Sequence, residues 1–333
     1  MNRVLRFTGG RLRGPARHPL ILMYHRVTDA AVDPWGLAVS PGHFEAHLAL
    51  LRRRMRPLGM VEFVQKLEHG SLPANAVAVT FDDGYSDNLR VAKPLLEAAG
   101  VQATLFLTTA TVGSRSGYWW DELARAILRN PNTVDRDIPI GDEPFRLSFS
   151  ADADTVPVDA RWRAWEPARS AREAAYLAIW RRLREMPRTA RDATINRLRQ
   201  AVAAPPPEPD ELPMTTDEIA KLTAGGTFEL GAHTASHPVL PTLDSAERRR
   251  EIREGREACE RIAKVAVEGF SYPHGAVDAD CAAAVKECGF RWACATGDRA
   301  ISASGFDRFS LPRVYVPDCD GSDFERLLQC VPA

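Results

Sequence analysis

Two short segments of the chain combine carboxylate and imidazole side chains at spacings that could bind a metal. Thr80-Phe-Asp-Asp-Gly84 contains adjacent Asp82 and Asp83, and His233-Thr-Ala-Ser-His237 contains two histidines four residues apart. Each segment follows a short apolar run of the kind that forms a buried strand. Such a set can hold one divalent metal and leave a carboxylate free for proton transfer. The combination predicts metal-assisted hydrolysis.

Each part of this set also has a simpler explanation. Asp83-Gly84 is a common turn pair, and His233 alone would be read as a core histidine with satisfied ring nitrogens. His237 favours the metal interpretation, because histidines at i and i+4 can face one side of a helical turn and neutral imidazole is a preferred Zn²⁺ ligand.

Composition limits the classes of partner. The 333 residues are 45% hydrophobic, enough for a substantial core in one large or two ordinary domains. The 43 basic and 44 acidic residues give a net charge of −1, which favours neither nucleic acid nor an anionic membrane as a general partner. Any charged substrate must therefore be recognised locally.

The location of the protein is predicted from what the sequence lacks. We find no hydrophobic segment of signal-peptide quality and none long enough to span a bilayer, and we expect a cytoplasmic protein. The basic residues 1–18 are interpreted as a solvated tail, with a peripheral membrane contact as the alternative. The six cysteines lie in the last quarter of the chain without a C-x-x-C pair, which favours reduced, mostly buried thiols.

Apolar runs alternate with helical patterns along the chain, which is typical of βα units with parallel strands. We expect helices from Asp87 to Gly100 and from Asp244 onward, with Arg248-Arg249-Arg250 on the solvent-exposed face of the second. The fold class is therefore α/β. The predicted strands are Leu20–Tyr24, Ala76–Phe81, Ala103–Leu107, Phe228–Gly231, Gly269–Tyr272 and Arg291–Cys294.

Residues from about 112 to 213 break this alternation. They contain five of the seven tryptophans, a long helical pattern near residues 171–204 and a proline-rich end. We interpret 19–333 as a single domain interrupted by this large, mostly helical insertion. Its aromatic residues could form a lid that places Trp119, Trp120 and Asp121 on the substrate, or an accessory core.

The carboxyl ends of parallel strands converge on one face, where active sites are built. Five candidate residues lie at or just beyond such ends: His25, Asp82, Asp83, His233 and His274. We therefore expect the fold to bring them together.

The motifs T-F-D-D-G and H-T-x-S-H-P, in that order, resemble those of the polysaccharide deacetylase family, also called the NodB-homology or carbohydrate esterase 4 group. Leu-Met-Tyr-His-Arg-Val at the start, Phe270-Ser-Tyr-Pro-His-Gly275 and Leu311-Pro-Arg-Val314 extend the resemblance over roughly residues 19–112 and 214–317. The resemblance implies a distorted, incomplete (β/α) barrel and an enzyme that removes acetyl groups from N-acetylated sugars.

The same resemblance implies the roles of individual residues. Asp83, His233 and His237 would hold the metal, expected to be Zn²⁺ with Co²⁺, Ni²⁺ or Fe²⁺ as alternatives, and Asp82 would be the general base. The metal and a backbone N–H between Tyr272 and His274 would hold the oxyanion.

The proton donor to the leaving amine departs from the usual family pattern. Many members use a late Leu-x-His histidine, yet no histidine follows His274 in this chain. A branch resembling the poly-N-acetylglucosamine deacetylases uses an early Tyr-His motif instead, and Tyr24-His25 fits it. His25 is therefore the expected general acid, with a strand-end histidine bonded only to backbone as the alternative.

Two further departures concern the segment Phe270–Gly275, the third motif of the family. Ser271-Tyr-Pro-His274 replaces the family's Arg-x-Pro-Tyr, so the arginine that orients the catalytic aspartate is expected from Arg313, which could instead form a surface or structural ion pair. His274 could touch substrate, add a weak metal contact or lend only its backbone N–H.

The predicted function is a metal-dependent N-deacetylase acting on an acetamido sugar in a glycoconjugate, a lipid- or nucleotide-linked precursor or a glycosylated metabolite. The same site could serve an amidase or deformylase of small molecules, because a fold does not choose its substrate. A non-catalytic carbohydrate-binding protein is the third interpretation. The sequence leaves the oligomeric state open.

Overall fold

The computed structural model describes residues 18–150, 162–302 and 305–332, so the predicted tail lies outside the described residues except for His18. The chain forms two compact units. The first consists of the described residues within Met1–Asp29, Leu37–Gly113 and Met214–Ala333, and the second of those within Ala30–Gly36 and Ser114–Pro213.

The described strands are β1 (Leu20–Tyr24), β2 (Arg26–Val27), β3 (Ala38–Val39), β4 (Arg56–Pro57), β5 (Ala76–Asp83), β6 (Ala103–Leu107), β7 (Val134–Ile140), β8 (Glu143–Phe149), β9 (Phe228–Ala232), β10 (Gly269–Ser271), β11 (Trp292–Thr296) and β12 (Leu311–Tyr315). Within the described part of the first unit, seven of them close into a parallel barrel in the order β1, β12, β11, β10, β9, β6 and β5, and β5 pairs back onto β1. A regular (β/α) barrel has eight strands. The predictions of an α/β class and an incomplete barrel are confirmed.

The described α-helices are α1 (Pro41–Arg54), α2 (Met60–Glu68), α3 (Lys93–Ala99), α4 (Trp119–Ile127), α5 (Ala171–Glu185), α6 (Arg188–Ala201), α7 (Thr216–Thr223), α8 (Ser245–Ala263), α9 (Ala279–Glu287) and α10 (Gly321–Cys330). The helix expected from Asp87 is a π-helical turn over Asn88–Ala92 followed by α3. It ends at Gly100, whose φ of 61° is the left-handed conformation that glycine adopts without cost.

Helix α8 begins where the sequence predicts, because the Asp244 carboxylate caps it by accepting the N–H groups of Ala246 and Glu247. One expectation for this helix is wrong. Arg248 is buried rather than solvent-exposed, and its guanidinium donates to the carbonyls of Leu240 and Leu243. The arginine thereby holds the turn that precedes its own helix.

Alternation along the strands separates two apolar clusters of the barrel. Leu20 and Leu22 of β1 pack in a large cluster that also contains residues of α1, α7 and α8, whereas Ile21 packs with Ala78 and Phe106 in a second cluster. Successive side chains of a strand point to opposite faces. The first cluster therefore joins one face of the strands to α1, α7 and α8, and the second, which also contains residues of α2, lies on the opposite face.

The second unit contains α4, α5, α6 and an antiparallel hairpin of β7 and β8. The hairpin is absent from the sequence prediction, although alternating buried residues and Gly141-Asp142 at its turn are typical of one. The long helix expected near 171–204 is divided at Pro187 into α5 and α6, because proline lacks the N–H that a helix interior requires.

Two expectations concern membrane spans and thiols. Among the residues with a described structure, no helix has the length and apolar character needed to cross a membrane. All six cysteines, each of them a described residue, are free thiols. Cys259, Cys281 and Cys294 are buried, and Cys330 is exposed.

Candidate metal and catalytic site

The site lies at the carboxyl ends of the barrel strands. Asp82 and Asp83 are the last two residues of β5, and His233 directly follows β9. The His233 N–H donates to the Leu107 carbonyl at 2.9 Å, so the end of β6 holds the start of the histidine segment. Strand pairing therefore brings together residues that are 150 positions apart in the sequence.

Asp83, His233 and His237 form a buried three-residue cluster whose ligand atoms lie within 4.8 Å of one another. Asp83 Oδ1 is 3.6 Å from His237 Nε2 and 3.9 Å from His233 Nε2. His233 Nδ1 is 2.7 Å from the Ser271 carbonyl, which orients the ring with Nε2 towards Asp83. Two imidazoles and one carboxylate, with a carbonyl behind one imidazole, form a donor set that suits Zn²⁺.

Burial supports the neutral form of His233 that a metal ligand requires. It lowers the pKa of the imidazole, and the nearby Asp82 carboxylate and the bond to the Ser271 carbonyl only partly oppose this. The ring is therefore neutral at neutral pH, with its proton on Nδ1. The residues present fit a divalent metal.

Helix α8 holds the segment between the two histidines. The Glu251 carboxylate accepts the Ser236 N–H at 2.8 Å and the Ser236 hydroxyl at 2.7 Å, and Thr234 Oγ1 accepts the His237 N–H at 3.0 Å. Gly255 lets the helix approach closely, since a Cβ there would lie 2.6 Å from the Thr234 carbonyl carbon. The position of His237 thus depends on a glycine in a helix interior.

Backbone strain is concentrated at the site. Among the described residues, six that are not glycine have positive φ, and four of these are Asp83 (73°), Thr234 (66°), His237 (58°) and His274 (58°). Such conformations cost on the order of 1–3 kcal/mol each and persist where the surrounding structure enforces them. The geometry of the site is therefore maintained at a cost in the free energy of folding.

Arg313 binds Asp82 inside the barrel. Its two terminal nitrogens donate to the two carboxylate oxygens at 2.7 and 2.6 Å, and both side chains are buried. They also donate to Thr80 Oγ1 at 3.2 Å and to Ser271 Oγ at 2.7 Å. Arg313 therefore forms a buried ion pair with Asp82 and not one on the surface, and its role in orienting a catalytic aspartate stays a prediction.

The charge state of Asp82 follows from this pair. Burial alone would raise the pKa of the carboxyl, but Arg313 and His233 outweigh burial and lower the pKa to about 2. Asp82 is therefore ionised at neutral pH. Its Oδ2 lies 3.8 Å from His233 Nε2, beside the proposed metal ligands.

His25 approaches Asp82 from the end of β1. Its Nε2 lies 4.0 Å from Asp82 Oδ2, and its side chain is 15% exposed. Burial lowers the pKa of the imidazole to about 4, more than the Asp82 carboxylate raises it. The imidazole is therefore neutral at neutral pH.

Tyr272 and His274, the two candidates in the segment Phe270–Gly275, lie in different environments. Tyr272 is buried, its hydroxyl donates to the Phe309 carbonyl at 2.9 Å, and its N–H donates to the Cys294 carbonyl at 3.1 Å. His274 is exposed, and its ring centroid is 4.5 Å from that of His237. Since proline has no N–H, the His274 N–H is the remaining oxyanion candidate of this segment.

Trp119, Trp120 and Asp121 belong to α4 of the second unit. Both tryptophans are buried, and the Trp119 ring centroid lies 5.6 Å from that of Trp120 and 6.0 Å from that of Trp180. These contacts form an accessory aromatic core. A substrate role for the three residues stays a prediction.

Four residues of the site carry no role in the sequence prediction. Thr80 had a local signal, because it is polar, lies two positions before Asp82 and therefore shares its face of β5. Ser271 has the equivalent place at the end of β10. Glu251 and Gly255 had no such signal, because their contacts with Ser236 and Thr234 arise only from the packing of α8.

The sequence model of the polysaccharide deacetylase family matches residues 69–135 and 193–293, just over half of the chain. The chain belongs to the polysaccharide deacetylase family. The matched segments contain Asp82, Asp83, His233 and His237, whereas His25 and Arg313 lie outside them. The family assignment made from the motifs is confirmed.

Relatives of the chain include YxkH of Bacillus subtilis (strain 168), whose name places it among the polysaccharide deacetylases. It is 35% identical over 103 residues, which are 30% of this chain and 35% of YxkH. The match thus spans about a third of that relative.

Two solved structures share the fold along nearly the whole chain. IcaB from Ammonifex degensii is 17% identical, with a TM-score of 0.58 over 96% of this chain and 100% of that one. The Streptococcus pyogenes deacetylase PplD, determined in complex with acetate, is 16% identical, with a TM-score of 0.58 over 94% and 99%. At these identities the likeness shows the fold alone.

Proposed function

We propose that the protein is a metal-dependent carbohydrate deacetylase that hydrolyses the N-acetyl group of an acetamido sugar. Family membership and fold support a carbohydrate deacetylase. The observation that carries the proposal is the three-ligand cluster beside a separate buried carboxylate, Asp82, which Arg313 holds in place. Such an arrangement provides three metal ligands and an independent base.

The metal would be held by Asp83, His233 and His237, and Zn²⁺ is the metal that best suits this donor set. When bound, it supplies a Lewis acid that polarises the acetamide carbonyl and lowers the pKa of water. This complements Asp82, whose pKa of about 2 makes it a weak base on its own.

In the proposed reaction, Asp82 accepts a proton from the water that attacks the acetamide carbonyl carbon. Arg313 fixes the orientation of both carboxylate oxygens through its paired bonds. The His274 N–H is the proposed donor to the developing oxyanion. The products are acetate and the free amino sugar.

His25 is proposed to deliver the proton that the leaving amine requires. Because its pKa of about 4 leaves the ring neutral before reaction, we infer that His25 receives the proton that Asp82 removes from water. Nε2 and Oδ2 are 4.0 Å apart, so the two side chains must approach to hydrogen-bond distance for this transfer. The proton then passes from Nε2 to the amine nitrogen as the C–N bond breaks.

The substrate class is tested by identifying the acid released. Metal-loaded protein is incubated with N-acetylglucosamine oligomers, an N-acetylated nucleotide sugar, and small acetamides and formamides, and acetate and formate are quantified. Acetate from the sugars supports the proposal, and formate or acetate from the small amides alone would favour an amidase or deformylase. Sugar binding without any released acid would favour a binding protein.

The cytoplasmic location and the identity of the metal stay predictions.

A further inference from the structure

The imidazole of His25 is poorly anchored for a catalytic group. Its Nε2 faces Asp82 at 4.0 Å, longer than a hydrogen bond. Within the described ranges, its buried Nδ1 has no hydrogen-bond partner. A catalytic histidine usually has its orientation set by the bond that its second nitrogen makes. Here the position of the ring must come from the backbone that carries it.

Two consecutive residues hold that backbone. The Asn88 side-chain amide donates to the His25 carbonyl at 2.9 Å. The Asp87 carboxylate accepts the Val27 N–H at 3.1 Å and the Arg26 Nε–H at 3.0 Å. The bonds thus attach His25 itself and the two residues that follow it.

The two holding side chains are joined to each other and are buried. Asn88 Nδ2 also donates to Asp87 Oδ1 at 2.9 Å, and the exposed fractions of the two residues are 0% and 1%. The guanidinium of Arg26 lies over the Tyr85 ring, 4.7 Å from its centroid, which adds a cation–π contact. Buried charge-assisted bonds of this kind restrict motion more than exposed ones do.

The same segment carries the base. Asp87 and Asn88 follow Asp83 by four and five residues, and a π-helical turn begins at Asn88. Isolated π-helical turns occur frequently at functional sites. The segment after β5 therefore connects Asp82 to the backbone of His25 through one short stretch of chain.

We propose that Asp87 and Asn88 are positioning residues that fix His25 relative to Asp82, so that a proton can pass from the base to the leaving amine. The proposal rests on the acid role of His25 in the proposed function. It assigns a role to the buried Asp-Asn pair, which is not part of the three-residue cluster.

The test compares two leaving groups. An N-acetyl sugar needs a proton on its amine, whereas an aryl acetate with a phenolate of low pKa leaves without one. For Asn88→Ala we expect kcat on the N-acetyl sugar to fall at least tenfold more than kcat on the aryl acetate, with KM changed less than threefold on either. His25→Ala is expected to show the same split, and larger.

A matched control separates positioning from general loss of structure. Asn130 is a buried asparagine of the second unit whose side-chain amide donates to the carbonyls of Ala126 and Val202. Asn130→Ala should lower the melting temperature and leave the ratio of the two rates unchanged. The metal content of each variant is measured in the same samples.

The outcomes distinguish a failure of the positioning role of Asn88 from a failure of the acid role of His25. Equal losses on both substrates for Asn88→Ala, with a split for His25→Ala, would overturn the positioning role and keep His25 as the acid. Equal losses for His25→Ala would overturn the acid role itself. If Asn88→Ala does not fold, Asp87→Asn removes the negative charge that pairs with Arg26, with little change in volume, and is judged by the same ratio.

Discussion

Arg313 and Asp82 are joined by two parallel hydrogen bonds of 2.7 and 2.6 Å inside the barrel, although 231 positions separate them in the chain. The pair keeps the carboxylate ionised against the cost of burial. It also fixes the plane of the carboxylate beside the three-residue cluster. The proposed base is thus oriented by a residue from a different strand.

The first prediction concerns Arg313→Lys. An ammonium cannot make the paired bonds of a guanidinium, so we expect kcat to fall by about 10- to 100-fold while bound metal is retained. Because the hydrogen bonds of Arg313 help to lower the pKa of Asp82, their loss should raise that pKa and move the acidic limb of the kcat profile to higher pH. Arg291→Lys, which alters an exposed pair with Glu268, serves as control. An unchanged profile in Arg313→Lys would contradict the proposed role.

The second prediction concerns the proposed metal ligands. Asp83→Ala and His237→Ala each remove one of three ligands, and we expect metal content after dialysis to fall at least tenfold, together with activity. Elemental analysis measures the content directly. His43→Ala, at an exposed histidine paired with Asp318, should retain metal. Full metal content in both ligand variants would show that the site lies elsewhere.

The third prediction concerns the close approach of α8. Gly255→Ala would place a Cβ 2.6 Å from the Thr234 backbone, which displaces the segment that carries His237. We expect a loss of about 1–3 kcal/mol of unfolding free energy, typical of overpacking, and at least tenfold weaker metal binding. A Cβ at Gly42, in α1, would meet no atom within 4 Å, so Gly42→Ala should lower neither the free energy of unfolding nor the metal affinity. Wild-type metal affinity in Gly255→Ala would refute the dependence of the metal site on this close approach.

The fourth prediction concerns pH and stability. Burial lowers the pKa of His47 to about 4 in the folded protein, against an unfolded value of about 6.5. The unfolded chain therefore binds more protons between these values, so stability falls as pH decreases through this window, by up to about 3 kcal/mol for this residue. Denaturant titrations at a series of pH values should show a smaller pH dependence of the unfolding free energy for His47→Gln than for the wild type over that range. An equal pH dependence in His47→Gln and the wild type would contradict the low pKa of His47.

The sequence predicts six of the seven barrel strands, all but β12, and the proximity of Asp83, His233 and His237, because both depend on local patterns. Apolar runs define the strands, and a strand end followed by Asp82-Asp83 or by His233 places these side chains at one rim. The partnership of Arg313 with Asp82 was open, because only three-dimensional pairing decides whether a late arginine lies inside the barrel. Burial of Arg248 depends likewise on carbonyls of a turn that periodicity does not reveal.

The central claim is that a metal site and a separate base, Asp82, hydrolyse an N-acetyl group. It is tested most directly by the initial rate of acetate release from N-acetylated sugar by metal-loaded Asp82→Asn, with metal content determined in the same sample. We predict wild-type metal content and a rate lower by about 10²- to 10⁴-fold, the usual contribution of a general base. A wild-type rate of acetate release in this variant would contradict the account.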